Sequence, residues 1–172
     1  GIAALRAGKP RKAAGFFTQA TQLMDDYARA WYNLGIAYKR SKQFDKALAA
    51  YQKALDVNPN YQKAAINLAV LLRNQGQLEQ ALTLFDKAAQ ISSADTRARA
   101  LLQKGDVLYE LGRYPESVQA LRRSIDYNPR DALAWLALGK SLLHTPEDSV
   151  TATAAFNNAA ALNPDDLNIR ID

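Results

Sequence analysis

The chain has 172 residues, of which 48% are hydrophobic and 23% charged, a balance that excludes an intrinsically disordered protein. It has no cysteine, which excludes disulfides, thiol catalysis and thiolate metal sites. The formal net charge is +5, but the positive residues are scattered singly or in pairs. Without a basic stripe interleaved with aromatic residues, we expect no nucleic-acid partner. No apolar run is long enough to span a bilayer, so we expect no direct membrane insertion.

Asn-Pro pairs divide the chain at regular intervals. They stand at Asn58-Pro59, Asn128-Pro129 and Asn163-Pro164, which are 70 and 35 residues apart. A fixed period of this length indicates a repeat protein. Because proline stops a helix, each pair predicts the end of one repeat and the turn into the next.

The first two segments are a partial repeat, 1–27, and a full repeat, 28–61. In the partial repeat, Ala13, Phe17 and Ala20 occupy the second helix, and Gly1 falls in the glycine position of the first. The full repeat shows the pattern most clearly, in Trp31, Leu34, Gly35, Tyr38, Ala47, Tyr51, Ala54 and Pro59. The spacing of three and four predicts two amphipathic helices of about 13 residues joined by a short polar turn.

Three further full repeats and one partial repeat follow this pattern. Residues 62–97 lack the closing proline, and we expect a looser connection over Ile91–Asp95. Residues 98–131 depart from it at Lys104, where leucine is usual. Residues 132–165 carry one extra residue in the inner loop, and 166–172 would begin another first helix.

These residues resemble the tetratricopeptide-repeat (TPR) family, whose pattern is W-x2-L-G-x2-Y…A-x3-F/Y-x2-A…P. The resemblance covers essentially the whole length. It implies an all-α fold, a right-handed superhelical solenoid of antiparallel helix pairs with four full repeats and partial repeats at both ends. It also implies a single array over 1–172. Independently of the family, Gly35, Ala69, Gly105 and Gly139 are small enough to let the second helix approach the first closely.

Catalytic and metal-binding interpretations find little support. His144 is the only histidine and has no second histidine or cysteine to pair with, so we expect a solvent-exposed side chain and no metal. Gly105-Asp106 and Gly139-Lys140 lack the glycine spacing of a phosphate-binding loop. We therefore predict a chain with no catalytic residues and no cofactor.

In TPR proteins the usual ligand site is a concave groove lined by the first helix of each repeat. Carried over position by position, this resemblance gives a candidate peptide-binding groove with a cation, an apolar residue and a carboxamide at matched heights. Tyr32 follows Trp31, so it should face the groove. Carboxamides both donate and accept, so they can bind the backbone of an extended peptide. The alternative is that Asn33 and Asn67 only form local hydrogen bonds. The candidate residues are Arg29, Tyr32, Asn33, Ile36, Lys63, Ile66, Asn67, Val70, Arg99, Leu102, Gln103, Asp106, Leu136 and Lys140.

The sequence favours a protein-protein interaction scaffold that binds an extended peptide or protein segment in this groove. One alternative is a substrate-recruiting or targeting module of a larger enzyme or of a secretion or assembly complex. Another is a self-assembling structural solenoid. The compartment is unknown, because a cysteine-free chain fits the cytoplasm and the periplasm equally.

Weak head-to-tail self-association is a further expectation. Residues 1–61 carry 10 Lys+Arg and 4 Asp+Glu, a net charge of +6, whereas residues 132–172 carry 2 and 5, a net charge of −3. Solenoid ends without a polar cap also expose apolar surface. We expect that surface around Leu5, Phe16 and Phe17 at one end and around Phe156 and Leu162 at the other.

Overall fold

The computed structural model describes residues 1–90, 93–146 and 149–163. These residues form ten α-helices and, within the described ranges, no strand. The chain divides into two compact units, Gly1–Gln77 and Leu78–Asp172. The division falls in the turn between the two helices of the predicted repeat 62–97.

The first unit contains five helices. They are α1 (Ile2–Arg6), α2 (Pro10–Leu23), α3 (Ala28–Arg40), α4 (Phe44–Val57) and α5 (Gln62–Asn74). Part of its core joins α1, α2, α3 and α4 through Ala4, Leu5, Ala13, Ala14, Phe17, Leu34, Ala37 and Ala50, with Trp31 packed at the edge. The apolar residues that recur at three and four thus face the neighbouring helices, as their spacing predicts.

The second unit contains the other five helices. They are α6 (Leu78–Gln90), α7 (Ala94–Glu110), α8 (Tyr114–Tyr127), α9 (Ala132–Leu142) and α10 (Ser149–Leu162). Its core joins α7, α8, α9 and α10 through Leu102, Val118, Leu121, Ile125, Ala134, Leu138, Leu142, Ala152, Ala155 and Phe156, with Trp135 packed against it. Residues 166–172, which the sequence assigns to a further helix, lie outside the described residues.

Glycine allows close contact between the two helices of a repeat. A Cβ atom built on Gly35 would lie 2.5 Å from the Tyr51 ring, and one built on Gly105 would lie 2.5 Å from the Leu121 side chain. Gly139 has the same relation to Phe156, and Gly1 to Phe17. The prediction that small residues permit this approach is therefore confirmed at these glycines.

The turns inside the repeats share one backbone conformation. Gly8, Lys42, Gly76 and Gly112 have φ angles of 68°, 60°, 77° and 72°. The amide that follows each of them bonds back to the first helix, as Gln43 N does to Tyr38 O at 2.9 Å. This is the Schellman ending, which normally uses glycine because other residues are strained in the left-handed region. Lys42 is the exception among the four.

Two expectations need correction. The looser connection predicted over Ile91–Asp95 is wrong at its end, because Ala94 and Asp95 already belong to α7, preceded by Ser93 as its N-cap. The predicted apolar ends are also less exposed than expected. Leu5, Phe17 and Phe156 are buried in their units, because neighbouring helices cover them, whereas Phe16 and Leu162 are 46% and 40% exposed. Ile91 and Ser92 lie outside the described residues.

Candidate functional site

In the first unit, the candidate residues lie on α3 and α5, the first helices of two successive repeats. Tyr32 on α3 is half-buried and packs edge-on against Tyr61, with ring centroids 5.2 Å apart. It also lies 6.0 Å from the ring of Tyr51, which is fully buried on α4. Tyr32 thus contacts Tyr51 in the core on one side and Tyr61, which precedes α5, on the other.

The carboxamides behave differently from each other. Asn67 Nδ2 donates to the Tyr32 hydroxyl at 3.3 Å, a long hydrogen bond that links α5 to α3. This agrees in part with the alternative that the asparagines bond locally. The Asn33 side chain is half-buried and makes no hydrogen bond to any described residue.

Cations flank this pair of helices. Arg29 is exposed, and its guanidinium lies 5.8 Å from the Tyr27 ring centroid, within cation–π range. Lys63 occupies the matching position of α5 and is also exposed. Tyr27 and Tyr61, which the sequence analysis missed, precede α3 and α5 respectively, at the N-cap positions. Their spacing of one repeat could have revealed them.

Burial raises the pKa of two tyrosines in this cluster. Burial is the main cause at Tyr51, and the nearby Tyr32 raises its pKa further. Burial and Tyr32 act in the same direction on the pKa of Tyr61. Both side chains therefore stay neutral at ordinary pH. Tyr61 therefore offers a hydroxyl and a ring face, and no charge of its own, to whatever contacts this surface, whereas fully buried Tyr51 only supports the surface from within.

Two candidates do not reach the surface. Ile66 is 2% exposed and Leu102 is 6% exposed, because each packs into the core of its own unit. The expectation that they form apolar pockets for a ligand needs correction: they support the surface from beneath. Ile36 and Val70 are half-buried, so part of each remains accessible.

In the second unit, the candidates lie on α7 and α9. Arg99 and Lys140 are exposed, and Gln103 and Asp106 are half-buried with interactions of their own. Leu136 is half-buried against the core of α7, α8, α9 and α10. This unit therefore repeats the cation and carboxamide of the first, but no tyrosine cluster accompanies them at these positions.

His144 lies apart from these positions, in an aromatic cluster that the sequence did not predict. Its ring is exposed and stacks on Tyr114, with centroids 4.3 Å apart and planes at 16°. Its Nε2 lies 3.2 Å from the Tyr109 hydroxyl. In the described ranges, no group of three or more His, Cys, Asp or Glu side chains could hold a metal. Likewise, no helix there is long and apolar enough to cross a membrane.

Helix pairs that meet at a glycine, and first helices that carry matched polar side chains, define an all-α helical-repeat protein. Models of the tetratricopeptide repeat match residues 28–61, residues 61–130, and residues 1–42 with 102–166. The chain belongs to the TPR family, and it is a protein-interaction scaffold. The all-α fold class is confirmed.

Several solved structures share this fold. MamA 41-end from Desulfovibrio magneticus RS-1 aligns with a TM-score of 0.83 at 21% identity, over 96% of this chain and 92% of that one. YrrB, a TPR protein described as having an unusual peptide-binding site, gives 0.80 at 21% over 98% and 85%. Pseudomonas aeruginosa PilF gives 0.85 at 19% over 94% and 72%. No curated protein sequence matches significantly.

Proposed function

We propose that the first helices of the repeats bind an extended peptide or protein segment, without catalysis by this chain. The observation that carries the proposal is the surface of α3 and α5 in the first unit. There the Tyr32–Asn67 hydrogen bond and the Tyr32–Tyr61 contact form a polar and aromatic wall. Exposed Arg29 and Lys63 flank it.

Each side chain has a definite part in this proposal. The unbonded amide of Asn33 and the side-chain oxygen of Asn67 pair with backbone N–H and C=O groups of the segment. Tyr32 and Tyr61 offer ring faces to its apolar side chains, and rigid aromatic side chains lose little entropy on binding. Arg29 and Lys63 steer acidic residues towards the wall. In the second unit, Arg99 and Lys140 supply the cations and Gln103 the carboxamide. Asp106 adds an acceptor for backbone N–H groups, and Leu136 adds an apolar contact. YrrB, whose peptide-binding site is noted above, gives independent support for peptide binding on this fold.

The test begins with peptides selected from a random display library against the wild-type chain. Replacement of Asn33 and Asn67 by alanine should weaken the selected peptides by about 1–3 kcal/mol, because two hydrogen-bonding groups are lost. Helix content by circular dichroism should be unchanged. The matched control replaces Asn157 and Asn158, two exposed carboxamides on α10. Equal affinity in both double variants, or a library that yields no binder, would refute the proposal.

We further propose that copies of the chain associate weakly. The opposite net charges of residues 1–61 and 132–172 attract one another between copies. Phe16 and Leu162 add a small exposed apolar contribution. A contact between two different surfaces is heterologous, so it propagates along a row of copies instead of closing into a dimer.

A further inference from the structure

A shallow, open basic cavity lies in the first unit, and none of the proposed groove residues lines it. It forms between the turn that joins α1 to α2 and the turn that joins α3 to α4, and it has a volume of about 500 Å³. It is lined by Lys9, Pro10, Arg11, Lys12, Arg40, Ser41 and Lys42. Five of these seven residues are cationic and none is acidic.

These cations have few partners within the protein. Lys9, Arg11 and Lys42 are exposed and form no ion pair with any described residue. Arg40 donates from Nη1 to the Leu5 carbonyl at 3.0 Å, which holds the two turns together and leaves the positive charge uncompensated. Lys12 lies 6.0 Å from the Phe16 ring centroid. Five like charges around one cavity repel each other, and a bound anionic group lowers that repulsion.

The backbone conformation of Lys42 also supports a functional role for this cavity. In the corresponding turns of the other repeats the left-handed position is Gly8, Gly76 and Gly112. At φ 60° a lysine costs about 1–2 kcal/mol relative to glycine. Strain of this kind is commonly found at functional positions. Glycine would form the same Schellman turn without strain. The lysine therefore serves a purpose other than forming the turn.

We propose that this cavity binds an acidic segment of a partner protein. The lining cations can each pair with a carboxylate of such a segment, and the cavity is open enough for an extended chain to reach them. The lining contains no aromatic residue, whereas single-stranded nucleic acid is usually held by stacking on aromatic rings. The aliphatic stems of the lysines and arginines and the Pro10 ring give the segment apolar contact as well. This surface is additional to the proposed groove.

The experiment measures anisotropy of a fluorescein-labelled peptide of alternating glutamate and serine with the full chain. Wild type should bind, and the affinity should fall as salt rises, because exposed charges are screened. The variant Lys9→Gln/Arg11→Gln/Lys42→Gln should bind about tenfold more weakly, the sum of three modest exposed ion pairs. The control Lys53→Gln/Lys87→Gln/Arg130→Gln removes the same charge at exposed positions outside the cavity and should change the affinity less than twofold.

A single substitution separates binding from folding. Lys42→Gly should lower the affinity for the peptide, because one cation is lost. The Tm should stay equal or rise, since glycine relieves the left-handed strain. The Asn33/Asn67 alanine variant should bind the acidic peptide as wild type does, so failure here and failure of the groove proposal are distinguishable. The cavity proposal is overturned if the wild type does not bind the acidic peptide, or if both triple variants lose affinity equally. Binding to phosphatidylserine vesicles without binding to the peptide would also overturn it.

Discussion

At the scale of single residues, the fold depends on glycine where the two helices of a repeat touch. Gly35 lies under the Tyr51 ring, and an added methyl group would overlap it. Tyr51 is fully buried and contacts Tyr32, so it has little room to move. The small residue at position 35 therefore permits the packing of Tyr51, the ring that Tyr32 contacts at the proposed binding surface.

Two glycine-to-alanine substitutions in the first unit should have opposite effects. Gly35→Ala should lower the free energy of unfolding by about 1–3 kcal/mol, because the new Cβ overpacks against Tyr51. Gly15→Ala lies on α2, where the new Cβ would meet no side chain and no other helix within 4 Å, apart from the residues directly adjacent in the chain. It should raise stability by up to about 1 kcal/mol, since alanine is the better helix former. Urea denaturation measures both. A loss at both positions would mean that the glycine contact is not what matters.

At the scale of helices, the sequence predicts most of the architecture, because each repeat states the same pattern again. The period located the helices and the glycine contacts, which depend on residues about 16 apart. It failed at Ala94, because α7 begins there, ahead of the first residue that the apolar spacing marks. The groove residues were predicted from their position in the repeat alone. That prediction could not distinguish buried Ile66 and Leu102 from their accessible neighbours. The tyrosine cluster required knowledge of contacts between successive repeats.

Alanine positions on second helices offer a test of the repeat phase. Ala81 on α6 is fully buried, whereas Ala161 near the end of α10 is exposed. Ala81→Leu should destabilise the chain by about 1–3 kcal/mol, because a buried position cannot accept three more carbon atoms. Ala161→Leu should have much less effect, since contacts in solenoids are local. Thermal melts compare the two, and equal losses would show that the assigned phase is incorrect.

At the scale of the whole molecule, charge is distributed unevenly along the chain. The basic cavity lies within residues 1–61, which carry the net charge of +6. The same excess of cations that would receive an acidic segment can also attract the acidic residues of another copy. The positive charge of residues 1–61 therefore supports two proposals, the binding of an acidic segment and the association of copies of the chain.

Light scattering across a hundredfold range of concentration tests self-association. We expect the mean mass to rise weakly with concentration and the rise to shrink in high salt, because charge has the larger part once Leu5, Phe17 and Phe156 are buried. Association that salt leaves unchanged would assign the contact to Phe16 and Leu162 instead. A constant monomer mass at every concentration would contradict the proposal.

The most direct test of the central claim is amide and side-chain chemical-shift mapping of the labelled chain with a library-selected peptide. Our account predicts that the largest changes lie on the first helices of the first unit, at the side-chain amides of Asn33 and Asn67 and the backbone amides around Tyr32. Changes confined to the second helices α4, α8 and α10, with these signals unmoved, would contradict it.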